Sequence, residues 1–202
     1  MPYCRDIIMT TATKKRVTLY DKTFEVMIPF EELDQHIEKI AERINRDYSN
    51  TPQPPIVLAV LNGSFMFMGD LMKRLKTPVE IEFMKVSSYG SGTVSSGNIK
   101  IHLDLSIEDI SNCNILVVED IVDSGRTLSY LTEYLKLKGA KNVKTVTILD
   151  KPSRREVEFT PDFVGLQIPD EFVVGYGLDY DEKYRALPYV AILDPRAYGK
   201  ES

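Results

Sequence analysis

Apolar positions along the chain fall into short strand-like runs separated by stripes at helical spacing. Residues 17–28 carry loosely spaced apolar side chains, as in a short strand or an irregular lead-in. After Pro29, Leu33, Ile37, Ile40 and Ile44 repeat at helical spacing and predict a helix with one apolar face. Pro52, Pro54 and Pro55 mark its end, because proline cannot continue a helix. Residues 56–61 are an unbroken apolar run and read as a strand buried on both faces. Beyond the turn Asn62-Gly63-Ser64, Met68, Leu71, Met72 and Leu75 predict a second amphipathic helix. Val79, Ile81 and Phe83 then alternate with Glu80, Glu82 and Met84, as in a strand. Residues 87–97 are polar and glycine-rich, long enough for a lid and too polar for a core. Ile99, Ile101 and Leu103 resume the strand pattern. Residues 114–118 form a second buried strand that ends in acids, followed by a small-residue turn. The next helix carries Leu128, Leu131 and Leu135, with Gly139 suited to the position just past its end. Residues 143–149, 163–168, 172–174 and 189–193 supply further strands. Strands alternating with helices predict an α/β fold with a mostly parallel central sheet flanked by helices.

Composition narrows the class. The chain has 202 residues, enough for one domain with a sizeable core. Residues 15–202 read as that domain, and residues 1–14, which lack periodicity, as a disordered N-terminal extension. A net charge of −5 argues against general nucleic-acid binding. The longest apolar run is six residues, too short for a membrane helix. Residues 1–16 hold no apolar stretch like that of a signal peptide, which makes a cytoplasmic location the expectation. Cys4 and Cys113 are too few and too far apart for a disulfide framework or a zinc site.

The chemistry concentrates in residues 117–127, which read VVEDIVDSGRT. A buried strand delivers Glu119 and Asp120 to the carboxyl edge of the sheet, where open α/β sheets bind ligands. Asp123 opens a short loop that enters a helix. In that loop Gly125 permits close backbone approach, the helix start offers free N–H groups, and Ser124 and Thr127 add hydroxyls. These are the makings of a phosphate cradle. The acids upstream would repel a bare phosphate, but suit the hydroxyls or metal of a sugar phosphate. Neither the GxxxxGK[ST] phosphate loop nor a GxGxxG dinucleotide motif is present.

Residues 117–127 resemble the phosphoribosyl-pyrophosphate (PRPP) signature of the type I phosphoribosyltransferases, and the chain resembles the hypoxanthine-guanine branch of that family. The other pieces that carry the resemblance are Leu61-Asn62-Gly63-Ser64, Ser87-Ser88-Tyr89-Gly90, Leu149-Asp150-Lys151, the run from Phe172 to Tyr180, and Arg185, in the family's order and spacing. The resemblance implies the type I phosphoribosyltransferase fold, with a small hood formed by N- and C-terminal segments. It implies purine salvage: a 5-phosphoribosyl group passes from PRPP to hypoxanthine or guanine, with xanthine left open, giving the nucleoside monophosphate and pyrophosphate.

The resemblance also implies roles for single residues. Asp123 takes the place of the family's general base. Glu119 and Asp120 sit under the ribose hydroxyls, and Ser124, Gly125, Arg126 and Thr127 hold the 5′-phosphate, Arg126 through its backbone. Leu61, Asn62 and Gly63 lie beside the pyrophosphate with Arg185, although many members carry lysine where this chain has Asn62. Lys151 donates to the purine 6-oxo group, Phe172 stacks on the ring, and the backbone of Val173 reads the base edge. Ser88 and Tyr89 belong to a mobile lid. Mg2+ is the implied cofactor, with Asp179, Glu119 and Asp120 as its carboxylates. A homodimer or homotetramer is implied, with neither nucleic acid nor membrane as a partner.

Overall fold

Continuous apolar runs form the middle of a six-stranded sheet, because a strand covered on both faces has no polar side to show. The computed structural model describes residues 16–19, 22–88 and 99–194. The elements in chain order are β1 (Arg16–Leu19), β2 (Lys22–Ile28), α1 (Phe30–Tyr48), β3 (Ile56–Leu61), α2 (Phe65–Met72), β4 (Glu80–Ser88) and β5 (Ile99–Leu103). They continue with β6 (Asn114–Val122), α3 (Arg126–Leu137), β7 (Asn142–Asp150), β8 (Phe163–Gln167), β9 (Val173–Val174) and β10 (Val190–Leu193). The large sheet runs β5-β4-β3-β6-β7-β8, parallel except where β5 pairs antiparallel with β4. A second, antiparallel sheet of order β1-β2-β10-β9 draws on both ends of the described chain and forms the expected hood.

Each face of the large sheet has its own core. On one face α1 and α2 bury Leu33, Ile37, Ile40, Ile44, Phe67, Met68 and Leu71 against Val57, Ala59, Leu116 and Val118. On the other α3 buries Leu128, Leu131 and Leu135 against Ile56, Leu58, Ile115 and Val117. Each such side chain contributes on the order of 1.5–3 kcal/mol by leaving water. Past the end of α3, Gly139 has φ +99. Its N–H reaches the Lys136 carbonyl at 3.0 Å, and that of Ala140 reaches Leu135 at 3.1 Å, which closes the helix end.

Of the two readings for residues 17–28 the strand holds, as the antiparallel pair β1 and β2 over residues 16–19 and 22–28. Three sequence expectations change. The second helix stops at Met72, so Leu75 packs from beyond its end. On β4 the alternation is inverted: Met84 and Glu82 point inward, while Ile81 and Phe83 are exposed. Glu82 tolerates burial because Ser106 gives its carboxylate an N–H bond of 3.0 Å and a hydroxyl bond of 2.5 Å. Strand β6 does not end at the acids but carries them, pairing Glu119 with Thr147 and running on to Val122. The expected N-terminal extension, and the expected lid beyond Ser88, lie outside the described residues.

Candidate active site

The carboxyl ends of β3, β4 and β6 meet the segment after β9 around a cavity of about 350 Å3. β3 brings Leu61, followed by Asn62 and Gly63, and β4 brings Val86 and Ser87. β6 brings Glu119 and Asp120, α3 brings Thr127, and the hood side brings Asp179 and Arg185. The Leu61–Asn62 peptide is cis. Two glycines let these pieces approach. A Cβ on Gly63 would lie 1.5 Å from Asp120 Oδ2, and one on Gly177, whose φ is +100, would lie 1.9 Å from the Gly63 carbonyl oxygen. Any side chain at either position would push the hood loop, the turn after β3 and Asp120 apart.

The carboxylates here are short of partners. Glu119 Oε2 is buried without a hydrogen bond. Burial first, then the charge of Asp120, hold its pKa well above the usual carboxylate range. Burial pushes Asp120 up to about 6, while the Ile121 N–H and Arg185 pull it down and Asp179 adds to the rise. The Ile121 N–H lies 2.7 Å from Asp120 Oδ1. Such groups gain from any cation or hydroxyl donor brought to them. Arg185 is held in place: Nη1 donates to the Gly177 carbonyl at 2.9 Å, and Nη2 lies 2.8 Å from Asp179 and 3.0 Å from Glu182. Among the described residues no three acidic, histidine or cysteine side chains converge into a metal cage. Glu119, Asp120 and Asp179 instead line the cavity separately, which suits Mg2+, since that ion takes one or two carboxylates and completes its shell with water and substrate oxygens.

Asp123 and Lys151 meet each other outside that lining. Lys151 is buried, its Nζ 3.8 Å from Asp123 Oδ1, and that oxygen is buried without a hydrogen bond. The next residues form the α3 entry, with Gly125 as N-cap at φ +81 and the Ser124 hydroxyl accepting from the Arg126 N–H at 3.3 Å. The Arg126 guanidinium is tied to Glu156 at 2.6 Å. Val173 is buried in β9, whereas Phe172 is 40% exposed and edge-on to Tyr180, with 5.7 Å between ring centroids. Ser88 closes β4 beside Ser87, and Tyr89 lies outside the described residues.

Sequence reasoning placed Ser87 in the lid rather than in the cavity wall, and missed Gly177 as a packing partner of Gly63, and Arg155. Nη1 of Arg155 donates to the Asp123 carbonyl at 2.6 Å. No local signal marks it: it stands 32 residues from Asp123, in a charged stretch that reads as surface.

A model of the phosphoribosyl transferase domain matches residues 29–181. The hypoxanthine-guanine phosphoribosyltransferase of Bacillus subtilis is 47% identical over 174 residues, covering 86% of this chain and 95% of that protein. The bifunctional protein TilS/HprT of Listeria monocytogenes is 48% identical over 183 residues, and there the chain spans 91% of itself but only 28% of the relative's length. Among solved structures, a hypoxanthine phosphoribosyltransferase from Staphylococcus aureus superposes with a TM-score of 0.82 at 43% identity, over 87% of this chain and 94% of that one. Because the family model runs through all six strands of the large sheet and on to residue 181, and two of these relatives are matched over nearly their full length, the chain belongs to the phosphoribosyl transferase family, in its hypoxanthine-guanine branch.

Proposed function

We propose that the protein is a purine salvage enzyme that transfers the 5-phosphoribosyl group of PRPP to hypoxanthine or guanine, with xanthine as a further candidate base. A purine ring nitrogen attacks the anomeric carbon, the carbon–oxygen bond to pyrophosphate breaks, and the purine loses a proton. The single observation that carries the reading is one cavity that joins the carboxylates of Glu119, one of whose oxygens is buried without a partner, and Asp120 to Asp179, Arg185 and the start of α3.

Roles follow from chemistry at each position. Glu119 and Asp120 accept from the ribose hydroxyls, and their charge favours the sugar cation that develops as the bond breaks. The N–H groups of residues 124–127 receive the 5′-phosphate at a helix N-terminus. Arg185 and the turn Leu61-Asn62-Gly63 face the pyrophosphate. Asp123 takes the purine proton as general base. Asp179, with Glu119 and Asp120 at the ribose, would hold Mg2+, which would supply positive charge to the pyrophosphate. Phe172 stacks on the base and the Val173 backbone reads its edge. A homodimer or homotetramer belongs to the same proposal, and the exposed Ile81 and Phe83 on β4 support it.

The choice of base tests the reading. Lys151 is a donor only, so it matches the 6-oxo acceptor of hypoxanthine and guanine and faces a second donor in the amino group of adenine. Lys151 is buried, and an ammonium left facing a donor there costs several kcal/mol. With PRPP and Mg2+, hypoxanthine and guanine should turn over, and adenine should be at least about 10³ worse in kcat/KM. Lys151→Ala should lose most of that gap by harming the oxopurines. Comparable use of adenine by the wild-type protein would overturn the proposal.

A further inference from the structure

The loop that precedes α3 is gripped from behind. Past Lys151 a short 3-10 turn, Pro152–Arg154, brings Arg155 beneath it. The Arg155 side chain is only 16% exposed. One arm of its fork donates to the Asp123 carbonyl at 2.6 Å, and the other pairs with Asp150, which is itself buried. The next two N–H groups, of Glu156 and Val157, reach the Ser124 carbonyl at 3.0 and 3.4 Å. A Cβ on Gly125 would lie 2.8 Å from Arg155 Cδ, so the loop rests directly on the arginine's stem.

A trans peptide is planar, and its C=O and N–H point in opposite directions. Pinning the carbonyls of Asp123 and Ser124 toward residues 155–157 therefore turns the N–H groups of Ser124 and Gly125 the other way. Successive N–H groups aimed together at a helix start make a concavity for an anion. We propose that Arg155, locked by buried Asp150, is the positioning residue of this cradle: without touching substrate, it sets the peptide planes that receive the 5′-phosphate. The proposal rests on the functional reading above. A guanidinium suits the task, because its rigid fork serves a carbonyl and a carboxylate at once, whereas a lysine ammonium is a single mobile point.

Equilibrium binding of GMP, guanosine and magnesium pyrophosphate separates the phosphate from the rest of the site. Arg155→Ala should weaken GMP by about tenfold or more while guanosine and pyrophosphate change by no more than about twofold, with Arg155→Lys in between. Millimolar methylguanidine should restore part of the GMP affinity of the alanine variant. Removing Arg155 alone bares Asp150, so the double variant Arg155→Met with Asp150→Leu keeps the packing without a lone buried charge, and it should show the same selective loss. GMP binding at the wild-type level in the double variant, or an equal loss for all three ligands, would overturn the role of Arg155 while the functional reading stands. A wild-type protein that binds GMP no better than guanosine would overturn that reading and this inference together.

Discussion

Asp120 sits where a carboxylate is costly to the fold and useful to the site. Burial pushes its pKa up to about 6, against about 3.9 for an exposed aspartate. Between about pH 4 and 6 the folded protein therefore holds a proton that the unfolded chain has released, and stability falls as pH rises through that window. Asp120→Asn removes the titration. In metal-free protein it should add on the order of 2 kcal/mol at pH 8, and the gain should vanish near pH 3, where the carboxyl is neutral in both states. Thermal unfolding in a chelating buffer at the two pH values measures this. A variant no more stable than wild type at pH 8 would show that the carboxylate carries no penalty. The identity and rough place of Asp120 were legible in the chain, since acids after a buried strand stand out. Its enclosure was not, because that depends on Gly63 lying against it and on Gly177 lying against Gly63 in turn, from distant segments.

At the scale of elements, legibility followed how local the cause was. β3 and α1 were readable because covering both faces, or one stripe, leaves a pattern within a few residues. β4 misled, because what decides its inward face is Ser106, which lies 24 residues from Glu82. The extension of β6 through Glu119 and Asp120 was hidden because its pairing partner is β7, and acids in sequence look like a turn. One tie between elements is of the same non-local kind. The hydroxyl of Tyr176, in the hood loop, donates to Asp70 of α2 at 2.6 Å, across 106 residues. Tyr176 is buried, and burial first, then the bond to Asp70, raise its pKa far above that of a free phenol. Tyr176→Phe keeps the ring and removes the bolt. It should cost about 1.5–3 kcal/mol, the range for a hydrogen bond to a charged group, read as a lower urea midpoint with an unchanged slope. An unchanged midpoint would mean that the hood is held to α2 by packing alone.

Across the whole molecule, the site belongs to neither sheet. Leu61, Glu119, Asp120 and Thr127 come from the large sheet and α3, whereas Asp179 and Arg185 come from the hood side. The two parts meet where Gly177 abuts Gly63 and where Tyr176 reaches Asp70. A ligand that bridges the cavity binds only the docked arrangement and shifts every opening in which the hood parts from the sheet. At about 100 times its Kd it stabilises that arrangement by about 2.7 kcal/mol, a slowing of exchange near one hundredfold where opening requires undocking. Amide hydrogen exchange should therefore slow together in residues 61–64, 119–127 and 173–185 when PRPP and Mg2+ are added. Guanosine, which lacks pyrophosphate, should protect residues 173–174 beside the base but leave 179–185 nearly as open as in the free protein. Protection confined to the large sheet under PRPP would separate the hood from the site, and would leave Asp179 and Arg185 without the pyrophosphate role assigned to them.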